Sequence, residues 1–526
     1  MKVLISDSLE DVGIRMLKEA DGIQVDVRVG VDYEELKAII KDYDALIIRS
    51  STKVTDEVLE AATRLKVIGR AGIGLDNVDI PSATKRGVVV MNTPGGNVIT
   101  TAEHTISMML ALSRNIPQGT ASLKAGRWEK KRLQGKEVFN KTLGIIGFGR
   151  IGSVVADRAR ALKMQVIVYD PYVSREVIEK AGFEVVSIEE LYRRADYITV
   201  HVPKLKNTLN LINKEAFAKM KQGVMIINCA RGGIVNEQDL LEALKTGKVA
   251  GAALDVFEKE PPGPSPLLEL ENVIATPHLG AATKEAQTNV SIAVAEQIID
   301  YLIKGTIRNA VNAPSVTGEL LIRLRPYLTL AERMGLLQAQ LAKGAIDSVT
   351  IEYLGDFSNL DFSPITTSAL KGLLSPILKD DVNFVNARVM AKERGIKVTE
   401  SKSTDSEDFI NMITLQVMTR HETNIVSGTI FGKHEPRVVR INNFRLEMIP
   451  EGHLLLIHNV DRPGAIGSIG TVLGNHNINI ARMHVGQEKD GGHNIILLDI
   501  DTPVSAEIIE ELRALPVVNS VMPLEL

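Results

Sequence analysis

Among the 526 residues there is a single cysteine, Cys229. One thiol cannot close an intrachain disulfide or build a thiolate zinc cluster. The composition suits a reducing cytosol, and a cytoplasmic location is expected. Aromatic residues are scarce at 4%, with one tryptophan, so aliphatic side chains must fill the cores. Neither charge sign dominates: 61 lysines and arginines face 65 aspartates and glutamates, for a formal net charge of -4. No broad basic surface follows, and nucleic acid is not expected as a partner. Long apolar runs are missing too. Ile106–Leu112 is far short of the ~18 residues that a membrane span needs, and reads as part of a buried helix. The opening residues, MKVLISDSLEDVG, turn acidic early and lack the apolar core of a secretion signal.

What is present is 44% hydrophobic residues, ample for several packed cores. At roughly 100–200 residues per domain, the length predicts about three to five domains. Short apolar strands at Lys2–Ser6, Val25–Val29, Ala45–Ile48, Val67–Arg70 and Val88–Asn92 alternate with helical patterns, which predicts a parallel sheet covered by helices. A second alternation starts near Thr142 with TLGIIGF, QVIVYD, YITVHV, VMIINCA, GAALDVF and NVIATPH. These unbroken apolar runs suit strands buried on both faces. Thr288–Ile303 reads as a helix crossing back to the first unit. The expected fold is α/β, with two doubly wound, Rossmann-like domains. The first is discontinuous, 1–97 with 287–307, and the second spans 98–286. An α+β section follows at 308–450, with alternating strands and helices, and then a ferredoxin-like βαββαβ unit at 451–526.

Gly147-Phe148-Gly149-Arg150-Ile151-Gly152 fits G-x-G-x-x-G between a strand and a helix, and Asp170 ends the next strand. The glycines permit a tight turn, close approach of a pyrophosphate and close helix packing. Arg150 and Ile151 open the helix whose N–H groups attract phosphate. Asp170 suits an adenosine ribose and repels a 2′-phosphate, so NAD is expected, although Arg175 leaves room for some NADP use. Pro203, Cys229, Ala230, Asp255 and Gly280 are expected along the cofactor.

Open parallel sheets bind ligands beyond the carboxyl ends of their strands. Arg231 follows VMIINCA, Glu260 follows GAALDVF and His278 ends NVIATPH. An imidazole near neutrality suits removal of an alcohol proton, so His278 is the candidate base, with His201 as the alternative. Glu260 suits the carboxylate that orients it, and Arg231 suits a guanidinium for a substrate carboxylate. Asp255 can meet the nicotinamide amide.

GRAGIGLDNVD, NTPGGNVITTAEHT, LGIIGFGRIG, INCARGGIVNE, ALDVFEKEPP and TPHLGAATKEA occur in this order across roughly Met1–Ala310. Through them the sequence resembles the D-isomer-specific 2-hydroxyacid dehydrogenases. The resemblance implies Arg231, Glu260 and His278 as the catalytic trio, in a cleft between two domains. The loop IRSSTKV, the TTAEHT segment and the tryptophan in AGRWEK are similar to a long form of the family. That form oxidises 3-phospho-D-glycerate to 3-phosphohydroxypyruvate, the entry to serine synthesis. An intervening domain and a C-terminal ACT domain, carried by IHNVDRPGAIGSIGTVLGNHNINIARM, complete it. Arg49 and Lys53 can each hold the phosphate or the carboxylate, with Arg49 the stronger candidate. Ser50, Gly72, Ile73 and Asn97 join it as substrate contacts, and Ile73 stands where many relatives carry a hydroxyl.

In the tail, Asp461 precedes Arg462-Pro463-Gly464 and a helical run. Its acid suits the ammonium of an amino acid, with Asn459 and Asn479 as further contacts across a paired sheet. The resemblance suggests L-serine as a feedback ligand, and an assembly role for the sheet edge is the alternative. Trp128 is expected at a subunit interface of a homodimer or homotetramer. The rival functions are a glyoxylate or hydroxypyruvate reductase of the same family and an NAD-sensing corepressor.

Overall fold

The computed structural model describes residues 1–313, 318–355, 357, 362–404, 409–432, 434–487 and 493–526. The first sheet has five parallel strands in the order Gln24–Val27, Lys2–Ile5, Ala45–Ile48, Val67–Arg70 and Val89–Asn92. Its central strands are apolar without alternation because helices cover both faces, and Val3, Leu4, Ile5, Leu46 and Ile47 are buried. One covering helix comes from far along the chain. Lys284–Lys304 packs Val290, Val294, Ala295 and Ile298 onto this sheet. The helix starts earlier than periodicity indicates, because the Thr283 hydroxyl accepts the Ala286 N–H (3.2 Å) and caps a polar first turn. The chain then stays on the sheet edge, where Ala310 bridges Met91 and the Asn312 side chain bonds the backbone of Val88 and Val90.

The second sheet has seven parallel strands, ordered Val273–Ala275, Val249–Leu254, Val224–Asn228, Tyr197–Val200, Thr142–Ile146, Gln165–Tyr169 and Glu184–Val185. Connections leave Thr142–Ile146 in one direction and Tyr197–Val200 in the other. A crevice therefore opens at their carboxyl ends. Helix Val98–Ser113 buries Ala102, Met109 and Leu112 on this unit. The two units are joined by the segments leading into Val98–Ser113 and Lys284–Lys304.

The third sheet departs from the expected alternation. Ile346–Gly355 pairs in parallel with Lys397–Ser403. Four successive antiparallel strands then follow: Asn411–Thr419, Thr423–Phe431, Glu435–Ile441 and Phe444–Met448. Helices Gly318–Leu341 and Ser363–Leu378 lie against one another beside it. The last sheet is antiparallel, in the order Ile480–Gln487, His493–Ile500, His453–Val460, Val518–Glu525. With helices Ala465–Asn475 and Ala506–Arg513 it makes the expected βαββαβ unit.

Alternation along His453–Val460 sends Leu455 and Ile457 to the unit's own helices, against Ile469, Leu473 and Leu512. Leu454 and Leu456 point the other way, into one continuous core with Leu337, Leu415 and Val417 of the preceding section. Among the described residues this C-terminal body touches the first unit around residues 85–87. There Asn383 Nδ2 donates to the Gly87 carbonyl (3.0 Å) and Lys85 pairs with Glu393 (3.2 Å). Among the described residues no helix is long and apolar enough to cross a membrane.

Candidate active site

A cavity of about 680 Å³ lies between the first two sheets. His278 ends the segment after Val273–Ala275 with φ 56°, a left-handed backbone that carries its ring off the strand direction. Its Nδ1 lies 2.7 Å from Glu260 Oε2, and Glu260 Oε1 accepts the Phe257 N–H (3.1 Å). Burial would raise the Glu260 pKa. The hydrogen bond and charge of His278 outweigh it and hold the carboxyl below its ordinary value. Arg231 faces the same cavity from the turn after Val224–Asn228. Asn228 builds that turn, accepting the Ala230 N–H (3.1 Å) and donating to the Arg231 carbonyl (3.0 Å).

The opposite wall comes from the first unit, through Ser50, Lys53 and Arg70. Arg70 is absent from the sequence expectations. Its Nε is buried without a hydrogen-bond partner, and its guanidinium is pushed down to about 10, first by burial and then by the nearby charges of Arg231 and Arg49. Such a cation demands an anion. Gly72 and Gly74 clear space for the guanidinium groups: a Cβ would fall 1.8 Å from Arg70 Nη1 and 2.0 Å from Arg231 Nη2. The Ile73 carbonyl accepts from Asn92 Nδ2 (2.7 Å). Arg49 is outside the cavity wall and turns toward Ser8, with Nη1 3.5 Å from both Ser8 oxygens. Asn97 stands just before helix Val98–Ser113 with its Oδ1 buried and unpartnered. Lys204 also lines the cavity, from the loop after Tyr197–Val200.

Gly147 has φ 98°, and a Cβ there would fall 2.6 Å from the His201 carbonyl, so only glycine turns here. Gly149 faces open space, which a phosphate can enter. Helix Arg150–Ala161 starts at this point, with Ile151 and Gly152 in its first turn, and aims its free N–H groups outward. The Asp170 carboxylate accepts from the N–H groups of Phe148 (2.7 Å), Tyr172 (2.8 Å) and Val173 (3.0 Å), which fixes it at the turn with acceptor capacity to spare. Arg175 pairs with Glu179 on the surface through its Nε (2.7 Å). These residues fit a dinucleotide without a 2′-phosphate.

His201 is not in the cavity wall. Its ring bonds Thr199 (3.0 Å), and burial pushes its pKa down to about 4. Cys229 is buried and its thiol is pushed up to about 12 by that burial, so it is no nucleophile. Ala230 and Pro203 are not in the cavity wall; their carbonyls accept from Arg231 Nη1 (2.7 Å) and Thr208 Oγ1 (2.6 Å). Asp255, fully buried, spends both oxygens on protein donors. Oδ1 accepts from Thr276 (2.6 Å) and Leu279 N–H (2.7 Å), and Oδ2 from Gly280 N–H (2.8 Å). It therefore clamps the loop that carries His278.

Three family models match the chain. They are "D-isomer specific 2-hydroxyacid dehydrogenase, NAD binding domain" over residues 106–280, "D-3-phosphoglycerate dehydrogenase intervening domain" over 323–442, and "ACT domain" over 453–517. D-3-phosphoglycerate dehydrogenase of Synechocystis sp. is 45% identical over 97% of this chain and 92% of its own. The enzyme of that name from Methanocaldococcus jannaschii is 45% identical over 100% of both chains. The chain belongs to the D-3-phosphoglycerate dehydrogenase family. It is an NAD-dependent dehydrogenase with an ACT domain. Its catalytic half also matches the solved D-lactate dehydrogenase of Aquifex aeolicus complexed with NAD and lactic acid. That match has a TM-score of 0.54 and 30% identity, and covers 60% of this chain and 100% of that one.

In the ACT domain the structure does not bring the three expected ligand residues together within one chain. Asn459 and Asp461 lie at the Val460 end of the sheet. Strand register puts Asn479 at the other end, since Ile480 pairs with Ile500, which pairs with His453. An eight-residue strand separates them by roughly 25 Å. Asn459 is buried with Oδ1 unpartnered, and Asn479 donates to Asp501 (2.7 Å).

Proposed function

We propose that the enzyme oxidises 3-phospho-D-glycerate to 3-phosphohydroxypyruvate in the cleft between the first two sheets. NAD, held at Gly147–Gly152 and Asp170, supplies the acceptor for two electrons. His278 takes the hydroxyl proton at Nε2, because its Nδ1 is committed to Glu260. Glu260 fixes the tautomer and stabilises the imidazolium that results. Arg231 holds the substrate carboxylate and polarises the oxygen that becomes the carbonyl. Arg70, Lys53 and Lys204 supply the charge for the phosphate. The observation that carries this reading is the His278–Glu260 pair facing a wall that contains a buried, unpartnered Arg70 Nε.

The domain division that fits this reading is 1–97 with 287–307, 98–286, 308–450 and 451–526. Homo-oligomers account for the exposure of Trp128, which is 82% exposed, and of Leu123 and Phe139. L-serine binding at Asn459 and Asp461 with Asn479 requires two ACT domains side by side, so that one chain's Asn479 meets the other's Asp461. NADH formation with 3-phospho-D-glycerate, glycolate and D-lactate tests the function. Turnover of the first alone supports it, and preference for glycolate or D-lactate overturns it.

A further inference from the structure

We infer that Asp76 is the positioning residue of this site: it reaches across the cleft from the first unit and sets the orientation of Arg231 on the second. The inference rests on the proposed role of Arg231. Asp76 Oδ2 lies 3.1 Å from Arg231 Nε, and the two residues belong to different sheets. Their bond exists only when the two walls are together. Arg231 Nη1 is committed to the Ala230 carbonyl at 2.7 Å, so two of its three nitrogens are held by protein. The third, Nη2, lies against the bare backbone of Gly74, where a Cβ would sit 2.0 Å away. A guanidinium so tethered can rotate little, and it offers one chosen edge to a substrate.

The loop that carries Asp76 is itself anchored. Asn77 Nδ2 donates to the carbonyls of Arg49 (2.7 Å) and Thr52 (2.6 Å), and the Asp79 side chain caps the next helix through the Ser82 N–H (3.0 Å). Asp76 is therefore placed by the fold rather than by chance rotation. Its charge also has a second use. Arg70 and Arg231 repel one another across the cavity; Asp76 offsets this beside both, and Asp7 adds to the balance at Arg70. Without it, closing the walls forces two guanidinium groups together before any anionic substrate has arrived. The bond is half-exposed, so its strength comes from geometry and from water exclusion on closure rather than from deep burial.

The test is a double-mutant cycle with Asp76→Asn and Arg231→Gln, read by kcat/KM for 3-phospho-D-glycerate and by amide hydrogen exchange of residues 72–79 and 230–233. Asp76→Asn is expected to lower kcat/KM about 10- to 100-fold, the range of a charge-assisted bond. It should leave the Kd for NADH unchanged and speed exchange in both loops. Asp76→Glu is expected to recover part of the loss. In the Arg231→Gln background the Asp76 change should add little to either readout. The inference is overturned if Asp76→Asn stays within twofold of the unaltered enzyme. It is equally overturned if the two substitutions lower kcat/KM and speed exchange additively, because Asp76 then does not act through Arg231. A different result, an unaltered enzyme inert toward 3-phospho-D-glycerate, would sink the reading of the site. The exchange readout would still report on the cross-cleft bond.

Discussion

The molecule joins its domains in two different ways. Between the first and second sheets there is a cavity, with charged side chains on both walls and two helical connections. Between the third sheet and the ACT domain there is no gap, because Leu454 and Leu456 of one share a core with Leu337 and Leu415 of the other. A polar, hydrated seam costs little to open, whereas an apolar one is costly. The catalytic half is thus built to open and close, and the C-terminal half to move as one body. That body holds the first unit at the Asn383–Gly87 joint, on the C-terminal side of helix Ile80–Lys85. The N-terminal end of that helix, at Asp79, borders the substrate cavity.

The sharpest break of the comparison is in the cleft. His278→Asn should cut kcat by about a hundred- to ten-thousand-fold, the usual cost of losing a general base. NADH titration should find its Kd unchanged, since the phosphate turn is elsewhere. On the apolar side, Leu456→Ala should destabilise the C-terminal body by about 2–5 kcal/mol through the cavity it leaves. Urea unfolding should then show the third sheet and the ACT domain melting together. Separate transitions for them would mean two independent bodies.

Asp255→Asn comes next, at about 1–3 kcal/mol, because an amide there leaves buried donors unpaired. Burial alone would raise the Asp255 pKa. The bonds from His104 and Thr276 and the Leu279 N–H win and lower it from the ordinary 3.8. A depressed folded pKa means that the stabilisation is complete above that ordinary value and is lost as pH falls through the folded one. The gap between the denaturation midpoints of the variant and the unaltered chain should therefore narrow as pH falls below 3.8 and close once pH lies below the folded value. The smallest effect belongs to the joint. Asn383→Ala with Lys85→Ala should cost about 1 kcal/mol or less per lost bond, while decoupling any serine effect from the rate. Serine inhibition that survives intact in this pair would route the coupling elsewhere.

The two halves also differed in how much of them was legible. In the catalytic half apolar strands end in glycine turns or single charged residues, so Gly147, Arg231, Glu260 and His278 stood out from their places at strand ends. Arg70, Asp76 and Lys204 did not. Each is a charge inside or after an apolar strand, and only the approach of a distant segment brings it to the cavity. Gly72 read as a substrate contact; what sequence did not indicate is that its missing side chain also makes room for Arg70. In the C-terminal half the βαββαβ order was plain. The four-strand meander was not, since its strands mix polar and apolar residues on half-buried faces. The separation of Asn479 from Asp461 follows from strand register, which sequence alone leaves open.

The central claim is that the cleft reads a phosphate at Arg70 while His278 acts on the hydroxyl. D-glycerate, which is the same acid without the phosphate, isolates that claim. The ratio of kcat/KM for 3-phospho-D-glycerate over D-glycerate should be about 100-fold or more for the unaltered enzyme, as expected for charge-assisted bonds to a partly buried guanidinium. It should fall by about tenfold or more in Arg70→Ala, with Lys53 and Lys204 keeping the remainder and the D-glycerate rate itself little changed. A ratio that is the same in both enzymes would contradict the account.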